Sequence, residues 1–293
     1  MSTASAKLSD RASDNDRIQK EFTKGWKGKI ELGFSRKQNR TVLSKAKHLG
    51  PLRVQRPFYP EDDVCHVYLL HPPGGVVGGD SLSIDINAES NSHCLLTTPG
   101  STKFYRSIGL TAHVKQSINV EAGACVEWFP QENIFFPGSQ SSLSTSIELK
   151  YDASFIGWEL QCLGRPVNDE KFLSGQIFSS TKIYRDGKLL INETQRVQSE
   201  QQLTAASGLR GFPMCATFYA TKCDQNLLEK VQSIINQREV TFPIGATMLD
   251  DLLVIRVLCD RSEKILREFI HFWQILRPEI LNKEAVSPRI WAT

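Results

Sequence analysis

The sequence lacks the long apolar runs needed for export or membrane insertion. No stretch approaches the roughly 18 consecutive apolar residues of a membrane-spanning helix, and the first residues contain no apolar run like that of a signal peptide. We therefore expect a cytoplasmic protein that does not bind membranes.

Cysteine is sparse and forms no recognisable framework. The cysteines are odd in number, contain no CxxC pair, and stand at positions 65, 94, 125, 162, 215, 223 and 259. This spacing indicates free thiols in a reducing compartment and argues against a zinc ribbon. Two cysteines are next to a histidine, but successive strand side chains point to opposite faces, so neither pair can bind one ion.

A strong excess of one charge is also missing. The chain has 35 Lys and Arg against 32 Asp and Glu, a formal charge of +3. This balance argues against nucleic acid as a partner. The distribution is nevertheless uneven, because the first 60 residues hold 14 basic and 5 acidic side chains.

Sequence signatures of catalysis are absent as well. There is no G-x-S-x-G elbow, and the glycine-rich segment 71–80, HPPGGVVGGD, has neither the Walker order nor the dinucleotide order of residues. We predict a β-turn there, followed by a strand. The alternative is a hydrolase or transferase that uses this loop, with Asp80 and Lys103 as acid and base.

The pattern that is present predicts a mainly β protein. Residues 1–21 are too polar to bury a core and are predicted to be a disordered tail, followed by a single β-rich domain over 22–293. Short runs rich in β-branched and aromatic residues predict an irregular, stacked or helical β architecture. These predicted strands cover 29–34, 52–58, 64–71, 81–87, 93–98, 110–120, 124–129, 143–151, 154–162, 176–184, 188–197 and 214–221.

Helical periodicity appears near the C-terminus. One predicted helix is capped by Asp224, and a second starts at Asp260 and ends at Pro278. With the apolar run 251–258 between them, residues 214–293 are predicted to form a β-α-β-α supplement with two C-terminal helices.

Carboxylates within apolar strands are the candidate functional groups. Glu127 and Glu159 are each flanked by apolar residues, and Glu193 lies in the segment LLINET. A buried acid needs a partner, a hydrogen bond or a metal, unless it simply faces water.

Six blocks in order resemble the UreD (UreH) family of urease accessory proteins. Along the chain they are GPLRVQRPFYPEDD, HVYLLHPPGGVVGGDSLSIDI, LLTTPGSTKFYRS, EWFPQENIFFPGS, LQCLGRPV and the terminal LRPEI with PRIWAT. The resemblance implies a non-enzymatic maturation factor that binds apo-urease, UreF and the GTPase UreG. It also implies that no cofactor is permanently bound, while nickel passes through an internal channel.

Candidate residues for these roles come from the blocks and from the carboxylates within apolar strands. The predicted channel lining is Asp80, Thr102, Lys103, Glu159 and Glu193, because spaced carboxylates and hydroxyls suit an ion in transit better than a closed cage. The predicted partner surface mixes arginine and aromatic side chains, as interfaces do; it comprises Arg53, Arg56, Phe58, Tyr59 and Trp291. A structural adaptor between urease and UreF, without a metal path, is the remaining alternative.

Overall fold

The computed structural model describes residues 25–198, 200–238 and 241–292, so the predicted tail over 1–21 lies outside the described residues. The strands are β1 Lys27–Lys37, β2 Arg40–Leu49, β3 Arg53–Val54, β4 Cys65–Leu70, β5 Ser81–Ala88, β6 His93–Thr97, β7 Thr102–Phe104, β8 Ala112–Val120, β9 Cys125–Phe129, β10 Asn133–Phe135, β11 Gln140–Leu149, β12 Ser154–Arg165, β13 Glu170–Lys171, β14 Gln176–Arg185, β15 Lys188–Val197, β16 Met214–Ala220, β17 Ile244–Leu249 and β18 Leu252–Cys259. The α-helices are α1 Glu200–Thr204, α2 Gln225–Gln237 and α3 Ser262–Leu281.

The central part of the chain coils between two sheets. Strands β4, β6, β9 and β12 pair in parallel in an eleven-stranded sheet, and β5, β8, β11 and β14 pair in parallel in a seven-stranded sheet. Because these strands alternate between the sheets along the chain, each coil adds one strand to each sheet. The predicted stacked, helical β architecture is confirmed.

Alternating side chains explain why the two sheets stack. In β5, Ile84 and Ile86 are buried on the inner face, while Asp85 points outward and forms an ion pair with Lys29 at 3.5 Å. The inner faces of both sheets share one apolar core. Burial of this face is the main contribution that holds the sheets together.

Two helices cover the opposite face of the larger sheet. Trp158 and Phe218 on its strands pack with Phe269 and Trp273 of α3 in a second apolar cluster. The predicted cap of α2 is confirmed, since Asp224 Oδ1 accepts the Leu227 N–H at 2.9 Å. None of the described helices combines the length and apolar character needed to cross a membrane.

The predicted limits of α3 are wrong at both ends. The helix begins at Ser262, and it continues past Pro278 to Leu281. A proline removes one backbone donor but leaves the following turn able to form. The helix ends instead at Asn282, which has a φ of 51° and donates its N–H to the Pro278 carbonyl at 2.9 Å.

Several elements differ from those predicted. The β-α-β-α supplement contains a further strand, Ile244–Leu249, which pairs with β18. The edge strand β2 and the short helix α1 were not predicted, because neither has a clear apolar alternation. The predicted strand 52–58 is reduced to Arg53–Val54, since Pro57 has no N–H to donate to a neighbouring strand.

Candidate functional site

Two cavities lie between the sheets. The first, named here the Arg256 cavity, has a volume of about 820 Å³ and is also lined by Glu193 and Cys215. The second, the Trp128 cavity, has a volume of about 490 Å³ and lies beneath the glycine-rich loop. Among the described residues, Glu159 is the one that lines both cavities. The cavities therefore meet at a carboxylate.

The alternation of β12 places Glu159 in this position. Its neighbour Trp158 points toward the helices, so Glu159 points into the space between the sheets. Thr145 Oγ1 donates to Glu159 Oε1 at 2.8 Å, and Thr181 Oγ1 donates to Oε2 at 2.5 Å. Both hydroxyls come from the opposite sheet, so the carboxylate links the two sheets.

The surroundings of Glu159 favour its protonated form. Although part of its surface faces the cavities, the carboxylate lies deep in the fold, and this burial raises its pKa. The hydrogen bonds from Thr181 and Thr145 offset part of the rise, while the negative charge of Glu193 adds to it. A cation that enters either cavity would supply the positive charge that the ionised carboxylate needs, so cation binding and loss of the proton are coupled.

Glu193 is held differently. Arg256 donates to both of its oxygens, at 3.1 and 3.0 Å, and Thr217 donates at 3.0 Å. Tyr219 contributes a longer hydrogen bond of 3.4 Å. Glu193 thus lies in the wall of the Arg256 cavity with a fixed positive partner.

Asp80 has a local structural role in the glycine-rich turn. The predicted turn is confirmed: Gly79 has a φ of 93°, Asp80 donates its N–H to the Val77 carbonyl at 3.1 Å, and β5 follows at once. The Asp80 carboxylate accepts the N–H groups of Trp26 at 2.7 Å and Val77 at 3.0 Å. It does not belong to the lining described for either cavity.

Thr102 and Lys103 are adjacent on strand β7, but their side chains have different surroundings. Thr102 lines the Trp128 cavity, whereas the Lys103 side chain is exposed and its backbone carbonyl accepts the Val76 N–H at 2.7 Å. Of the five predicted channel residues, the structure thus places Thr102, Glu159 and Glu193 at the cavities. Their role in ion transit stays a prediction.

The predicted partner surface divides into exposed and half-buried groups. Arg53 and Arg56 are exposed, and Arg53 donates to the Leu52 carbonyl at 2.8 Å. Phe58 is half-buried and packs edge-on against Tyr68 at 4.8 Å. Tyr59 lies under the Arg40 guanidinium, with 4.8 Å between the guanidinium carbon and the ring centre.

Trp291 packs against the body of the protein. Its ring centre lies 5.3 Å from those of Trp158 and Trp273, and its Nε1 donates to Thr97 Oγ1 at 3.2 Å. The side chain is partly exposed at the edge of a groove that α3 also lines. A partner contact by Trp291 stays a prediction.

Comparison with known proteins identifies the family. The family described as UreD urease accessory protein matches residues 27–292. This chain belongs to the UreD family. A urease accessory protein UreD of Alcanivorax borkumensis is 54% identical over 92% of this chain and 93% of its own length. Those of Aliivibrio fischeri strain ES114 and Pseudomonas entomophila are each 44% identical over 92% of this chain, and over 97% and 95% of their own lengths. Membership of the family implies a role in urease maturation.

This UreD family member also contains a buried ionic network that sequence reasoning missed. Glu127 on β9 accepts hydrogen bonds from His93 at 2.7 Å, from Trp273 at 2.6 Å, and from Arg277 at 2.9–3.1 Å. Arg277 also donates to Glu61 at 2.6 Å. Glu127 and Arg277 are both fully buried.

The charged partners decide the protonation state of Glu127. Burial favours the neutral form, but the His93 hydrogen bond and the Arg277 charge outweigh it and lower the pKa to about 2. The apolar surroundings of Glu127 indicated that a partner was needed. Its identity was not readable, because Arg277 lies 150 residues further along the chain.

The UreD fold presents no closed metal cage in its described part. Residues 25–198, 200–238 and 241–292 contain no group of three or more His, Cys, Asp or Glu side chains placed to hold an ion. Burial raises the pKa of the Cys215 thiol to about 12, so this cavity residue is a thiol rather than a thiolate at neutral pH. The histidines next to Cys65 and Cys94 bind Glu61 and Glu127 instead.

Proposed function

We propose that this UreD family member is a non-enzymatic factor in urease maturation. It binds apo-urease together with UreF and the GTPase UreG, and nickel passes through the space between its two sheets. Nickel is cargo on this route and is not a resident cofactor.

The observation that carries the passage is the shared position of Glu159. Two cavities, of about 820 and 490 Å³, lie on either side of one carboxylate inside the fold. A divalent ion loses hydration as it moves through a protein, and a carboxylate along the way compensates for part of that loss. Glu193 and Thr102 provide further oxygen atoms in the two walls.

The chemistry of the walls suits transit better than storage. A permanent nickel or zinc site uses several imidazole or thiolate ligands at fixed geometry, whereas isolated oxygen ligands release the ion readily. Within the described part of the chain, the hydrogen-bond donors to Glu159 are two neutral hydroxyls. The carboxylate is therefore available to a passing cation.

We assign the partner surface to the exposed basic part of the chain. Arg53 and Arg56 are exposed, and both lie in the N-terminal region that carries the excess of positive charge. Exposed arginine is common in protein interfaces. We include both in the surface that contacts the urease maturation partners.

The test is genetic complementation with a measurement of metal. Cells that lack this chain should contain inactive, nickel-poor urease, and the restored wild-type chain should return both activity and nickel content. Glu159→Gln should fold and bind its partners but deliver roughly ten-fold less nickel, because the neutral amide does not attract a cation. The matched control is Glu148→Gln, on the outward face of β11.

Each result separates the hypotheses. If Glu159→Gln and Glu148→Gln both restored full nickel content, the passage would be refuted, and the adaptor hypothesis would replace it. If urease were fully active without the chain, the maturation role itself would be refuted. Turnover of a substrate by the purified chain would instead support the hydrolase or transferase alternative.

A further inference from the structure

The threonines that hold Glu159 form a matched pair. Thr145 on β11 and Thr181 on β14 are directly opposite each other in a parallel register. Both are buried, with 7% and 2% of their surface exposed. Neighbouring strands lie about 4.8 Å apart, so the two hydroxyls can each reach one oxygen of the same carboxylate. The result is a clamp from one sheet on a side chain of the other.

The clamped carboxylate separates the two cavities. No other described residue lines both of them. The Glu159 side chain, held by the two hydroxyls, therefore lies at the boundary between the cavities. A side chain at this boundary is suited to control movement from one cavity to the other.

A receiving group for the released carboxylate lies in the Trp128 cavity. Trp128 has 2% of its surface exposed, and its Nε1 has no hydrogen-bond partner among the described residues. Trp128 is directly opposite Gly157 in the β9–β12 register, so it is the diagonal neighbour of Glu159 on the same face. Diagonal neighbours lie about 7–8 Å apart, which long side chains can span.

Movement of the Glu159 carboxylate toward the Arg256 cavity is unfavourable. Glu193 carries a negative charge on the side of the Arg256 cavity, and it raises the pKa of Glu159. The Arg256 guanidinium in the same wall is already bound to both oxygens of Glu193, at 3.1 and 3.0 Å. Gln161, which is 94% buried there, has an oxygen that lacks a partner in the described part of the chain. An acceptor and a negative charge both repel a carboxylate, so the movement is toward Trp128.

The Thr145 hydroxyl has a second acceptor within reach once Glu159 has moved. Gln116 Oε1 lies 3.4 Å from Thr145 Oγ1, on the side of the Trp128 cavity. When Glu159 leaves, Thr145 can donate to this oxygen. The clamp can therefore open without leaving the Thr145 hydroxyl unpaired.

We propose that Glu159 is a gate, that Thr145 and Thr181 are positioning residues that hold it closed, and that Trp128 Nε1 receives the carboxylate when it opens. This inference rests on the proposed nickel passage. It adds to that proposal the residues that control the passage and the direction in which the gate moves.

The gate predicts opposite effects for two conservative substitutions. Thr181→Val keeps the side-chain shape but removes the hydroxyl, which should favour the open gate and raise the initial rate of nickel loading roughly five-fold at limiting nickel. Trp128→Phe removes the receiving donor and should lower that rate by roughly the same factor. Because Nε1 has no partner in this structure, Trp128→Phe removes no hydrogen bond from the closed fold.

The measurement is the nickel content of urease over time, by elemental analysis, in a reaction with the assembled accessory complex. Thr181→Ser, which retains the hydroxyl, should behave as the wild type. Ser144→Val is the matched control, because Ser144 is exposed on the same strand as Thr145. Complex yield is measured for every variant, so that a failure of assembly is recognised.

The outcomes distinguish the gate from the passage. If Glu159→Gln lowers loading but Thr181→Val and Trp128→Phe change it in the same direction or not at all, the gate is overturned and the passage stands. If Glu159→Gln has no effect on loading, the passage is overturned together with the gate. Opposite effects of the two variants, with rescue by Thr181→Ser, support the proposal.

Discussion

Glu127 and Glu159 lie on neighbouring strands of the same sheet, yet their surroundings act in opposite directions. Glu127 faces the helices, where it is bound to Arg277, and its pKa is lowered to about 2. Glu159 faces the other sheet, where neutral hydroxyls hold it, and its pKa is raised. One side of the sheet thus contains a fixed ion pair, and the other contains a carboxylate whose donors among the described residues are neutral hydroxyls.

This difference separates a structural group from a candidate functional group. Burial disfavours both charges, and what decides the outcome is whether a positive partner is built into the fold. Arg277 makes the charge of Glu127 permanent and links α3 to β9. Glu159 has no such partner, so its charge is stabilised most when a cation arrives. A buried carboxylate held by hydroxyls alone is therefore the stronger functional candidate.

The largest expected effect comes from removing the cation of the fixed pair. Arg277→Met would leave Glu127 buried without its charged partner, and the free energy of unfolding should fall by about 3–5 kcal/mol. Chemical denaturation of the purified chain measures this. Lys230→Met, in the exposed pair with Glu279, is the control and should cost less than about 1 kcal/mol. Equal losses for the two variants would show that the network contributes no more than a surface pair.

A smaller fall in the free energy of unfolding is expected when the pH is lowered. The pKa of Glu127 is about 2 in the folded chain against an ordinary value of 4.5. Its contribution is therefore complete above pH 4.5 and is lost as the pH falls toward 2, which amounts to roughly 3 kcal/mol. Unfolding free energies measured across this range should fall less steeply in Glu127→Gln. Parallel curves for wild type and variant would contradict the lowered pKa.

The smallest effect, with the opposite sign, is expected at Glu159. Because its folded pKa is raised, its contribution to stability is present below pH 4.5 and is lost as the pH rises through the folded value. Glu159→Gln stays neutral, so at pH 7 the variant should be at least as stable as the wild type. Any gain should disappear at pH 4. A loss of 2 kcal/mol at pH 7 would mean that the carboxylate is structural.

Local sequence patterns correctly predicted regular elements of the fold, such as a strand with alternating side chains and a capped helix. The alternation at Ile84 and Ile86 marked the core face of a strand, and Asp224 marked the start of a helix. Strand β2 was missed because both faces of its second half are exposed, so no apolar period is visible. Pro278 misled the prediction, since the helix end is decided by the left-handed Asn282.

The features of the candidate site that the sequence did not predict depend on contacts between residues distant along the chain. The apolar neighbours of Glu159 indicated a polar group inside the fold, and Glu127 gave the same signal. The sequence alone does not distinguish the two glutamates, because their partners are distant along the chain. Arg277 lies 150 residues from Glu127, and Thr181 lies 22 residues from Glu159. Asp80 was selected by its position in a sequence block, whereas its carboxylate accepts the backbone N–H of Val77 in its own turn and that of Trp26, 54 residues away.

The alternation of side chains on strand β12 limits the insertions and deletions that this strand can accept during evolution. Trp158 lies within the aromatic cluster under the helices, and the next residue, Glu159, lies between the two cavities. An insertion or deletion of one residue before them would exchange these positions, placing the carboxylate among aromatic rings and the indole in the passage. Single substitutions can adjust either face independently, but a change of one residue in the length of this strand exchanges its faces unless a β-bulge absorbs it.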